Sequence, residues 1–163
     1  MISKQPQNQS PAAIVKTLNI IHMALAAGQI LFAAVTFIIP KSQEKGAAND
    51  MLIYIAPVLA ITCFIAGHFL FLKLLSNIRR DSPLKAKLIA YQSATIIRLA
   101  LLEGPSLFSI IGFLLTGKLI FMAIAGALVA YFIYVRPSRQ KIEDDLSLGY
   151  EEKAELDGTD KVY

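Results

Sequence analysis

Residues 96–115 read IIRLALLEGPSLFSIIGFLL. Coiled as an α-helix at about 1.5 Å per residue, twenty residues rise about 30 Å, the thickness of a bilayer's hydrocarbon core. Arg98 and Glu103 are its only charged residues. The stretch is expected to cross a membrane, and the chain is read outward from it. Three more stretches follow the same pattern: Ile20–Ile39, Leu52–Leu72 and Leu119–Val135. A helical pattern continues beyond these cores over residues 14–19 and 85–95. The last stretch is short and borrows Lys118 and Arg136 as ends whose long stems reach the headgroups. Pro40, Pro83 and Pro137 stand just outside spans, where proline ends a helix. Pro57 and Pro105 stand inside spans, where neighbouring helices can satisfy the carbonyls they free.

Composition agrees. Of 163 residues 55% are hydrophobic and 17% charged, and mean hydropathy is +0.55. This excludes a disordered chain and argues against an ordinary soluble domain. A pI near 9.2 could suggest nucleic acid, but the basic residues flank apolar segments, so no nucleic-acid partner is expected. One cysteine, Cys63, excludes an intramolecular disulfide framework.

Lys and Arg counts set the orientation. Twelve fall on the side that holds both termini and the Lys73–Thr95 connection, and three (Lys41, Lys45 and Lys118) on the other. Both termini are therefore expected in the cytoplasm. A cleaved signal peptide is the competing reading of the first span. Its apolar run is about 20 residues long with no A-x-A site directly after it, so an uncleaved helix is preferred.

The first span lies over the third at an offset of 76, and eight of twenty positions are identical. The second and fourth spans share a start, LIYIA against LIFMA. The chain thus reads as two parallel helical-hairpin repeats related by an axis near the membrane normal. Matched small residues, Ala24 with Gly28 and Ala100 with Gly104, are expected at helix-packing faces, since small faces let backbones approach in lipid. Ala56 with Ala60 and Ala123 with Ala127 repeat the spacing.

Four side chains of the Asp, Glu, Lys, Arg and His types fall inside the spans. His22, Arg98 and His68 lie in a shallow layer near the cytoplasmic side. They are candidates for contact with lipid headgroups, Arg98 by reaching outward along its stem. Two histidines without cysteine or a nearby acid make a poor metal site, so no metal and no cofactor are expected. Glu103 lies deeper, about 10 Å inside the third span. A charge at such a depth costs at least about 2.5 kcal/mol, so the protonated acid is the expected form. Arg98 is displaced by about 140° around the helix and is not a same-face partner. Pro105 lacks an N–H and frees the Leu101 carbonyl. Glu103, that carbonyl and Gln29 together make a candidate proton or cation site. The alternative is a neutral Glu103 hydrogen-bonded between helices as packing glue.

The stretch Arg79–Leu115 resembles the second half of a rotary ATPase proteolipid, the c subunit. Arg80-Asp81-Ser82-Pro83 corresponds to that family's basic loop, and Leu102-Glu103-Gly104-Pro105 to its carboxylate region. The resemblance implies that Glu103 is an ion-carrying acid. That family's glycine-rich first helix has no counterpart in Leu52–Leu72. The whole chain also resembles four-helix membrane proteins of Bacteroidota that bring no activity with them. The expected location is the bacterial cytoplasmic (inner) membrane.

Residues 143–163 carry eight acidic and two basic side chains. They read as a mostly disordered cytoplasmic tail, or as a docking segment for a basic partner. Residues 1–13 read as a flexible arm, leaving 14–142 as the transmembrane domain. No phosphate-binding, zinc-protease, nucleophile-elbow or CxxC motif occurs, and an enzyme is not expected. The sequence thus predicts an all-α, four-helix transmembrane bundle in a lipid bilayer. It would act as a proton- or cation-binding module within a homo-oligomer or a membrane complex. The alternative is a non-catalytic accessory subunit.

Overall fold

The computed structural model describes residues 10–40 and 47–160. The N-terminal arm up to residue 9, the connecting residues 41–46 with Lys41 and Lys45, and residues 161–163 lie outside the described residues. All regular structure among the described residues is helical. The elements are α1 (Pro11–Ile38), α2 (Ala47–Ser76), α3 (Leu84–Thr116), α4 (Leu119–Tyr134), α5 (Arg139–Asp145) and α6 (Tyr150–Asp160).

Local chemistry sets the ends. Ser10 caps α1, its side chain accepting from the Ala13 N–H at 3.2 Å, and Pro11 opens the helix with a φ already suited to it. α1 stops before Pro40, as the residue preceding a proline is pushed toward extended backbone. Gly117 closes α3 at φ 67°, in the left-handed region open to glycine, and its N–H bonds the Phe113 carbonyl at 2.8 Å. The chain then turns directly into α4.

α1, α2 and α3 are each long and apolar enough to cross a membrane. α4 reaches that length only when joined to α5, and the two are bent by 78° at the break containing Pro137. The chain therefore has three candidate spans, or four when the bent pair counts as one.

α3 packs against α1, α2 and α4. Three apolar clusters follow one another along it. Ile14, Leu18, Phe71, Leu88 and Tyr91 gather at the basic end. Ala26, Ala60, Leu99, Leu102, Leu128 and Phe132 form the middle. Ala56, Phe113 and Phe121 close the far end.

The acidic tail corrects the sequence reading. Residues 143–160 are not a disordered tail: they form the end of α5, a turn and α6. Ile142, Leu146, Leu148 and Leu156 are buried in the basic-end cluster, so the segment folds back over the ends of α1 and α3. Its apolar side chains are few but placed on one side, which average composition conceals.

The close helix approaches also differ from those expected. Ala24, Gly28, Ala100 and Gly104 are all exposed, and a Cβ added at Gly28 or Gly104 would meet nothing within 4 Å. The chain's own helices pack through other faces, for α1 the one carrying His22, Ala26 and Gln29. Of the expected small pairs, Ala56 and Ala60 of α2 are buried as expected while Ala123 and Ala127 are exposed, and close approach is also made at two glycines. A Cβ at Gly67 would lie 3.4 Å from the Leu101 Cβ, and one at Gly112 would strike the Phe121 ring at 2.8 Å.

Candidate functional site

α1 and α3 run in the same direction, with Ile14 beside Leu84 in one cluster, Ala26 beside Leu102 in the next, and Phe37 against Phe113 at 5.0 Å beyond that. α4 returns antiparallel. One turn beyond the middle cluster are Gln29 on α1, Ser106 on α3 and Ala125 on α4, all buried. These three form a layer between the middle and far clusters. Both polar atoms of Gln29 and the Ser106 hydroxyl are enclosed without a hydrogen-bond partner. Ser109, nearby, donates to the Pro105 carbonyl at 2.8 Å, using a backbone group of its own helix. An enclosed amide without partners is costly in an apolar interior, and this layer is the most polar point of the middle of the bundle.

Glu103 lies within a turn of that layer along α3 but faces differently. It is half-buried, between buried Leu99 and Leu102 on one flank and exposed Ala100 and Gly104 on the other. Its carboxyl has no hydrogen bond or ion pair among the described residues. Gln29 has no partner either, so the two side chains do not meet. The Leu101 side chain packs toward Gly67 of α2, about 200° around the helix from Glu103. The Glu103 carboxyl and the Gln29 amide thus make no hydrogen bond with each other, and Glu103 is half-buried on the outward side of α3.

The shallow layer is a set of tertiary contacts. His22 is 1% exposed, which removes it from the headgroup region. Its Nε2–H donates to the Phe132 carbonyl at 2.8 Å, and its ring stacks on Phe132 with centroids 4.8 Å apart. The carbonyl is among the last of α4, which lack acceptance within the helix, so His22 completes that helix end. Arg98 donates to the Tyr131 hydroxyl at 2.7 Å and lies over the Phe71 ring at 4.7 Å. It is engaged between helices instead of reaching for headgroups. Only His68 stays exposed, and it does not join His22. No group of three or more metal-ligating side chains occurs among the described residues.

At the basic end, Lys87 is buried on α3 and its Nζ donates to Glu152 Oε1 at 2.6 Å. Glu152 Oε2 accepts from the Gly149 N–H at 3.0 Å, so the carboxylate both caps α6 and holds it to the bundle. The hydrogen bond from Lys87 holds the Glu152 carboxyl below its usual range, with burial opposing and the Gly149 N–H assisting. The Tyr91 hydroxyl donates to Asp145 at 3.0 Å, and Glu143 accepts from Arg139 at 2.9 Å and faces Lys153 at 3.4 Å. The docking partner considered for the acidic segment is this chain's own basic end.

Sequence reasoning missed Ser106, because a serine in an apolar helix gives no signal until its neighbours are known. It missed Lys87 and Glu152 for the opposite reason: both look like ordinary solvated charges. Comparison of the chain with protein-family models, with curated proteins and with solved structures finds no match.

Proposed function

We propose that this chain is a multi-pass membrane protein that binds a proton or cation at Glu103, within an oligomer or a membrane complex that completes the site. The observation that carries the reading is an acid about 10 Å inside a span, without a partner among the described residues and turned toward the outward side of α3. Intramembrane acids are costly and mark functional sites by default. Ala100 and Gly104, exposed beside Glu103, leave room for another helix to approach the carboxyl. Ser106 follows three residues after Glu103 on α3, and its hydroxyl and the Gln29 amide are enclosed polar atoms of the kind that a proton or cation path needs.

A second reading is favoured by the matched outward faces of α1 and α3. Ala24 and Gly28 are as open as Ala100 and Gly104. An accessory subunit would use both faces to hold other proteins, with Glu103 a neutral hydrogen-bonding group in the contact.

Carbodiimide labelling of Glu103 in native membranes, read by mass spectrometry from mildly acidic to mildly alkaline pH with and without sodium, separates the two. Labelling that titrates, or that sodium protects against, supports ion binding. No labelling in the folded protein with full labelling after denaturation overturns it and leaves the accessory reading. Glu103→Gln controls for labelling elsewhere.

A further inference from the structure

Between the end of α2 and the first half of α3 runs a groove of about 430 Å³. Its polarity changes along its length. One end is lined by Asn77, Arg79, Ser82 and Lys87. Leu74 and Ile78 add apolar lining beside it, and Ile97, further along α3, is apolar too. Along α3 the lining is made of small side chains, Ala86, Ala90 and Ala94 at helical spacing with Ser93 beside them. From Ala86 to Ile97 the helix rises about 16 Å, so the trough runs from the polar turn to the start of the hydrocarbon-length segment.

We propose that this groove binds one anionic phospholipid, its phosphate at Arg79 and Ser82 and one acyl chain along the alanine trough. Charge complementarity favours an anion. The groove's lining holds two cations, Arg79 and Lys87, and no acid, with Asp81 pairing Arg79 and Glu152 of α6 pairing Lys87. Arg79 is held by Asp81 at 2.8 Å and 3.2 Å, but both partners are largely exposed, and such a pair is weak enough to rearrange. The guanidinium has five N–H donors and spends two on Asp81. Lys87 spends one of its three on Glu152. The start of α3 has no side-chain cap, and its positive end opens near the same turn. A free phosphate would satisfy these donors but leave the apolar trough unused. A phospholipid uses both halves, and basic pockets between spanning helices are known hosts for such headgroups.

The test is native mass spectrometry of the full chain in detergent, titrated with phosphatidylglycerol, phosphatidylcholine or inorganic phosphate. Phosphatidylglycerol should bind about tenfold more tightly than phosphatidylcholine. Arg79→Gln should weaken phosphatidylglycerol about fivefold, the effect of one basic side chain near a charged lipid. Ala90→Phe fills the trough from an exposed position and leaves the cations in place; it should weaken the lipid while sparing any binding of phosphate. Equal affinity for the two lipids, or indifference of phosphatidylglycerol to both substitutions, would overturn the proposal. Phosphate binding as tightly as phosphatidylglycerol would also overturn it, leaving an inorganic anion site.

Discussion

The basic end and the middle of the bundle treat polar groups in opposite ways. Toward the basic end most are matched: Lys87 with Glu152, Tyr91 with Asp145 and Arg98 with Tyr131, with the Thr95 hydroxyl the exception. In the middle, Gln29 and Ser106 are enclosed without partners among the described residues and Glu103 makes no hydrogen bond there, although hydrogen-bonding alternatives are scarcest at that depth. A polar group whose contacts hold helices together is accounted for by folding. One that the fold leaves unmatched, at the greatest cost, asks for something outside the chain. The contrast moves attention from the charged end, where sequence draws the eye, to a quieter layer of an amide, a hydroxyl and one acid.

The largest expected effect tests the folded end. Leu156 is 2% exposed in the cluster that receives α6. Leu156→Ala should weaken docking of the acidic segment by about 2–5 kcal/mol, the usual cost of emptying a buried leucine site. Hydrogen exchange over residues 142–156 would rise accordingly. Unchanged exchange would break the comparison, because the end would not then be held by its apolar contacts.

A smaller effect is expected from Lys87→Gln, about 1–3 kcal/mol, since Glu152 keeps some access to water once its partner is gone. The same pair predicts a pH response. Glu152 is held below its ordinary range by the Lys87 hydrogen bond, so its contribution is complete above the unfolded value of about 4.3. That contribution is lost as the pH falls through the lower folded value. Acid should therefore release α6 in the native protein, and Lys87→Gln should flatten that response, read again by exchange across the segment.

The smallest effect sharpens the other half. Gln29→Leu removes an enclosed amide without partners and should raise thermal stability by about 1 kcal/mol. A loss of stability instead would mean that the amide is satisfied, and the middle would no longer differ from the end. A gain in stability accompanied by loss of the titrating label at Glu103 would join the two groups in one function.

The spans were legible because length and hydropathy survive averaging. The expected cores at Ile20–Ile39, Leu52–Leu72 and Ile96–Leu115 each fall within or nearly within a described helix, and α4 begins at Leu119 as expected. Proline positions carried most of the boundary information. The tail was misread because eight acids outweighed three well-placed apolar side chains, Leu146, Leu148 and Leu156. The small residues were misassigned for a related reason. Spacing shows that Gly28 and Gly104 share a face with their alanines, but not which face meets a neighbour. Of the candidate ion site, the acid and the amide were legible as individuals. Their directions were not, because rotation of a helix about its axis depends on tertiary packing.

The hydrogen bond between His22 and the Phe132 carbonyl joins residues 110 positions apart. Ribosomes add about 5–20 residues per second, so Phe132 is made roughly 5–20 s after His22. Throughout that interval the first helix is already synthesised, and its imidazole has no α4 to bond. The contact is therefore a late event in biogenesis, and forming it marks the moment at which the first and fourth helices become one unit.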